Sequence, residues 1–166
     1  MDPTNTVASA SGITINKLVS VDGKTWYGNE ALLVAQKGKP VYYRVTVTNN
    51  GGRAITNLRI LDVLPYDGDG RSAWGPTLTG AVSSDVAETT IYYTGDRPSE
   101  NAATFTDGIG ANTSAEGANA FLAVVKTLEQ GKSVTLSYTT TAPAAPKNDD
   151  YYQLAINTAS CMYAEG

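Results

Sequence analysis

Apolar and polar residues alternate with period two along much of this chain, which is the spacing of half-buried β-strands. Ile13, Ile15, Lys17, Val19 and Val21 form one series against Thr14, Asn16, Leu18 and Ser20. Val41, Tyr43, Val45 and Val47 share one face of a strand over Val41–Thr48. Leu58, Ile60, Asp62 and Leu64 share one face of another over Asn57–Leu64, which Pro65 ends. Further strands are predicted over Thr89–Thr94, Phe121–Val125, Ser133–Thr140 and about Tyr151–Met162. Three polar residues interrupt these series: Lys17 and Asp62 sit on otherwise aliphatic faces, and Asn157 lies in the last strand.

The segments between the strands carry turn chemistry. Asp22-Gly23 and Asn49-Asn50-Gly51-Gly52 are turn signals, the second a strong mark of a hairpin or tight turn. Leu128–Lys132 reads as a further turn. Residues 66–84, 95–119 and 142–150 are rich in Gly, Asp, Asn, Ala or Pro and read as loops. No long helical pattern occurs. These features predict an all-β fold, an immunoglobulin-like β-sandwich of about eight to ten strands with Greek-key connections. Residues 1–12 lack a pattern and are expected to be a flexible linker, leaving 13–166 as a single domain. The chain ends at Ala164-Glu165-Gly166 without a tail, so it is expected to be one piece of a longer protein.

Composition narrows the chemistry. With 42% hydrophobic and only 17% charged residues, the 166-residue chain can bury one sizeable core. The net charge of −4 comes without a basic stripe, which argues against nucleic acid as a partner. No apolar run approaches the length of a membrane span. There is no histidine, which excludes a Ser-His-Asp triad and His-ligated metals. Cys161 is the single cysteine, so an intrachain disulfide is excluded. A secreted domain of this kind needs another stabiliser or relies on its core.

Lys17, Asp62 and Asn157 supply the ingredients of one reaction. Burial disfavours a charged lysine, and a neutral ε-amine is a nucleophile. Burial also favours the protonated form of a carboxyl group, which can then hydrogen-bond an amide oxygen and make its carbon electrophilic. Attack of Lys17 on Asn157 with loss of ammonia would leave an isopeptide bond. The residue pattern alone leaves other readings open. A lysine on a strand often sits at a sheet edge with its amine in water, and an aspartate near a Pro-terminated strand often caps a turn. Asn157 shares its face with Ala155, Ala159 and Cys161 while Leu154 and Ile156 occupy the other, so either face of that strand can be the inner one.

Four ordered segments resemble a conserved repeat domain of Gram-positive cell-surface and pilus proteins. Gly38–Asn49 resembles its G-x-x-V-x-Y-x-V-x-V-x-N signature, and Asn57–Pro65 its N-x-x-I-x-D-x-L-P segment. Leu128–Tyr138 resembles L-x-x-G-x-x-V-T-L-x-Y, and Ile156–Ser160 the closing x-N-T-A-S strand. Asp67-Gly68-Asp69-Gly70 is similar to an insert found in members of the group. Many such domains are similar to the collagen-adhesin A-type module, where a first-strand lysine joins a last-strand asparagine with help from an acidic residue. The resemblance implies Lys17 and Asn157 as the cross-link and Asp62 as the assisting acid. It also implies an extracellular, cell-wall-anchored location and neighbouring domains of the same surface protein as partners.

The remaining candidates are weaker. Asp67 and Asp69 could ligate calcium, but the further ligands of a calcium loop are missing at the required spacing. No other cofactor is expected. Cys161 could form a thioester with a glutamine such as Gln153, although a small core residue explains it as well. Trp26, Trp74 and the tyrosines could form a sugar- or protein-binding face. Two function classes follow. One is a monomeric stalk or spacer module that cross-links itself once and turns nothing over. The other is an adhesin module that contacts a host protein or glycan through its long loops. A turnover enzyme is the least expected class.

Overall fold

The computed structural model describes residues 12–28, 38–65, 75–95, 114–141 and 158–165, the last as backbone only. Two antiparallel sheets face each other. One contains β1 (Ile13–Ser20), β2 (Tyr27–Gly28), β3 (Pro40–Asn49), β5 (Ser83–Ser84) and β8 (Ser133–Thr141) in the order β2-β1-β3-β8-β5. The other contains β4 (Ile55–Val63), β6 (Thr89–Thr94), β7 (Ala120–Leu128) and β9 (Thr158–Glu165) in the order β6-β7-β4-β9. The chain changes sheet between β3 and β4, between β4 and β5, between β5 and β6, between β7 and β8, and between β8 and β9. The result is the all-β sandwich with crossing connections that the alternation predicts.

Asn49–Gly52 makes a tight turn but no hairpin. Strands β3 and β4 lie in different sheets, because each has apolar residues that must face the core from opposite sides. The buried Asn49 side chain holds the turn. Its Nδ2 donates to the Arg53 and Leu128 carbonyls, and its Oδ1 accepts from the Gly51 N–H. The start of β1 crosses the turn so closely that a Cβ on Gly12 would lie 2.7 Å from the Gly51 Cα. Gly12 also takes a positive φ of 76°, so glycine meets two constraints there.

The inward series of β1 stops earlier than its alternation suggests. Val21 is exposed, because β1 ends at Ser20 and the chain turns at Asp22. The Asp22 carboxylate accepts hydrogen bonds from the Lys24 and Thr25 N–H groups and from the Ser20 hydroxyl. The two backbone donors are the main reason its pKa falls from 3.8 to about 2. A depressed folded-state pKa means that this turn's contribution to stability is present above pH 3.8 and is lost as the pH falls through about 2. An NMR titration of the Asp22 side-chain carbon should show a midpoint near 2; a midpoint near 4 would contradict the turn geometry.

The core forms between the sheets. Ile15, Val45, Val47, Val134 and Leu136 face Leu58, Ile60, Phe121, Ala123 and Val125. A smaller buried cluster, Leu61, Val63, Ala120 and Leu122, takes the alternate positions of β4 and β7. The end of β4 is therefore buried on both faces.

One irregularity sets which β4 residues face the core. Ile55 and Leu58 are both buried although three positions apart, which strict alternation forbids. Asn57 between them takes a left-handed φ of 51°, and the β4–β9 register shifts between Thr56 and Arg59. This is a β-bulge, with asparagine at a position that tolerates positive φ. It moves the following residues by one parity step. Without it, Leu61 and Val63 would take the face that Ile60 and Asp62 now hold.

Candidate functional site

Lys17 lies in the middle of β1, opposite Val45 of β3, which in turn faces Leu136 of β8. Its side chain enters the space between the sheets and is 1% exposed. Asp62 lies near the end of β4, between Phe121 of β7 and Ala159 of β9. It is 0% exposed. The two side chains meet across the core, with Lys17 Nζ 2.7 Å from Asp62 Oδ2. The alternation places each of them inward, and the sandwich joins them although they stand on separate sheets.

Aromatic rings surround the pair. Tyr43 and Tyr138 are cross-strand neighbours on β3 and β8 and stack at 5.2 Å between centroids. Lys17 Nζ is 5.7 Å from the Tyr43 centroid and 5.6 Å from that of Tyr138. These distances lie within the cation–π range. Phe121 meets Tyr138 edge-on at 5.1 Å. The Tyr138 hydroxyl donates a hydrogen bond to Asp62 Oδ2, the same oxygen that Lys17 contacts. Tyr43 is held well above the usual tyrosine pKa, first by burial and then by the negative charge of Asp62. It therefore stays a neutral phenol.

Such a pair is a poor device for stability alone. Removing two ions from water costs several kcal/mol each, and packed apolar residues of similar volume often serve as well or better. The arrangement does suit proton transfer, because an amine and a carboxylate at hydrogen-bond distance in a dry site can exchange a proton. What it lacks among the described residues is an electrophile.

The proposed electrophile, Asn157, lies outside the described residues. The next residue, Thr158, begins β9 opposite Val63, and Ala159 stands opposite Asp62. The chain thus enters the second sheet beside Asp62 one residue after Asn157. Asp67, Asp69, Trp74 and Gln153 also lie outside the described residues, as do most of the 95–119 loop and the side chain of Cys161. Among the described residues, no three His, Cys, Asp or Glu side chains are grouped to hold a metal ion. Trp26 is covered on one ring face by the Arg44 guanidinium, 4.0 Å from the ring centroid.

Sequence reasoning missed Tyr138 as a member of this site. Its signal was present: Val134, Leu136, Tyr138 and Thr140 alternate as one buried face of β8. A tyrosine on such a face must find a partner for its hydroxyl.

No family model matches this chain, and no curated protein matches it. Among solved structures, it is similar to the CBM3b of the major scaffoldin subunit ScaA from Acetivibrio cellulolyticus. That match has 14% identity and a TM-score of 0.35, and covers 86% of this chain and 74% of the other. The CBM3a-L domain of the scaffoldin CipA from Clostridium thermocellum gives 13% identity and a TM-score of 0.35, with 90% and 75% covered. The yeast delta-COP-I mu-homology domain gives 10% identity and a TM-score of 0.34, with 92% and 54% covered. Likenesses this distant carry no argument about function.

Proposed function

We propose that this chain is a structural stalk or spacer module of a bacterial cell-surface protein, locked by an intramolecular isopeptide bond between Lys17 and Asn157. The observation that carries the proposal is the buried 2.7 Å contact between Lys17 Nζ and Asp62 Oδ2. It leaves a nucleophile and a proton acceptor in the core with no stabilising role that apolar residues could not fill. The β4–β9 register adds support, because it brings the chain in beside Asp62 directly after Asn157. The resemblance of the four ordered segments to the Gram-positive repeat domain agrees with both.

The chemistry balances with the groups at hand. Lys17 passes a proton to Asp62, which leaves a neutral amine and a protonated carboxyl group. The amine attacks Cγ of Asn157, and the carboxyl hydrogen-bonds the carboxamide oxygen as negative charge develops there. One Nζ proton moves through Asp62 to the departing nitrogen. The Cγ–N bond breaks, ammonia leaves, and an Nζ–Cγ amide remains. The reaction runs once per chain.

The bond would join β1 of one sheet to the residue that precedes β9 of the other. Force applied at the two ends of the domain would then pass through a covalent bridge across the core. An amide, unlike a disulfide, is not broken by reduction. These properties suit an extracellular module held between neighbouring domains of the same protein.

Peptide mapping tests the proposal. Digestion should release one branched peptide that joins the segments containing Lys17 and Asn157. Recovery of both segments as separate linear peptides would refute it.

A further inference from the structure

We infer that Tyr138 is the positioning residue for the bond-forming step, acting through Asp62. The inference rests on the isopeptide reading above and adds a member to its machinery. Asp62 has to face the Lys17 amine, take its proton and later release one. A lone carboxyl group can rotate about its Cβ–Cγ bond. Here two donors converge on one oxygen, Oδ2: the Lys17 amine from β1 and the Tyr138 hydroxyl from β8. The phenol is itself fixed, because its ring stacks on Tyr43 and meets Phe121 edge-on. The hydroxyl thus comes from a rigid wall, so the carboxyl group is held in register before the asparagine is attacked.

The hydroxyl also bears on the acidity of Asp62. Among the described residues, the titratable groups facing this carboxyl group from the packed strands are Lys17 on β1, Tyr43 on β3 and Tyr138 on β8; β7 presents Phe121. A donor on Oδ2 stabilises the carboxylate and lowers its proton affinity. The reactive state carries one proton shared within the Lys17–Asp62 pair. A second proton gives ammonium and carboxylic acid together, which cannot react. Bond formation therefore has an acid limb, set by the lower apparent pKa of the pair. Removing the Tyr138 hydroxyl raises that value and moves the limb to higher pH.

The test uses the full chain assembled by chemical synthesis and ligation, so that it is unreacted, held unfolded in denaturant and folded by dilution across a pH series. Samples are acid-quenched for intact mass, and circular dichroism follows folding in parallel. Tyr138→Phe keeps the ring and removes only the hydroxyl. It should form the bond at least about tenfold more slowly than the parent at neutral pH, because the carboxyl group is no longer held in register for the attack. Its acid limb should lie at higher pH. Tyr43→Phe, which leaves the Oδ2 contact intact, should keep the parent limb. Site-specific 3-fluorotyrosine at 138 retains the phenol and strengthens it as a donor, so the limb should move to lower pH. That arm decides the question if Tyr138→Phe does not fold. A folded Tyr138→Phe chain that matches or exceeds the parent's rate with an unmoved limb overturns the role of Tyr138 and leaves the staple standing. A parent chain that never loses ammonia overturns the staple itself.

Discussion

Lys17→Met should have the full mass of its own sequence, without the loss of one ammonia expected of the parent, and should be sharply less stable. Methionine fills much of the same unbranched path through the core but has no amine to react. The loss has two parts. The bond between Lys17 and Asn157 closes nearly the whole chain into one loop, worth about 5 kcal/mol by the chain-entropy estimate used for disulfides. Asp62 also loses its amine partner while still buried, and is held then by the Tyr138 hydroxyl. For a domain of this size, 5 kcal/mol corresponds to a fall in Tm of roughly 10–20 °C. Thermal unfolding followed by circular dichroism measures it. A variant that melts within a degree or two of the parent would show that the chain carries no cross-link of consequence.

Asp62→Ala should be at least as damaging. It prevents the bond, and it also leaves the Lys17 amine in the core without its acid partner. Breaking a buried pair from one side costs about 3–5 kcal/mol beyond the lost cross-link. The sum approaches the whole stability of an ordinary domain, about 5–15 kcal/mol, so Asp62→Ala should be poorly folded at room temperature. The double variant Lys17→Met/Asp62→Leu removes both charges and fills the space with apolar groups. It should recover most of the 3–5 kcal/mol, but not the cross-link, and should be more stable than Asp62→Ala. Denaturant titration of the three chains gives the comparison. If the double variant proves no more stable than Asp62→Ala, the two side chains are not coupled in the folded protein.

Much of this site was legible in the sequence because strand periodicity carries a face assignment. Lys17 among Ile13, Ile15 and Val19, and Asp62 beside Ile60, were readable as inward polar residues, and both are buried. Their meeting was implied by the resemblance but was not readable from the alternation. It depends on β1 and β4 occupying opposite sheets, which tertiary packing decides and local pattern does not. The Asn49–Gly52 turn shows the same limit: its composition announces a reversal but cannot say whether the chain pairs with itself or crosses the core. The bulge at Asn57 was hidden too, because β4 is apolar on both faces near its end and Leu61 or Val63 would have looked equally at home inside. Val21 failed for a local reason: the Asp22 turn ends β1 one residue earlier.

Intact mass of the purified wild-type chain, read beside Lys17→Met, tests the central claim most directly. A succinimide at Asn50-Gly51 would also remove one ammonia, so the variant is needed to assign the loss. The account predicts a wild-type mass below the sequence value by one ammonia and a Lys17→Met mass equal to its own sequence value. A wild-type mass equal to the sequence value, or the same deficit in both chains, would contradict it.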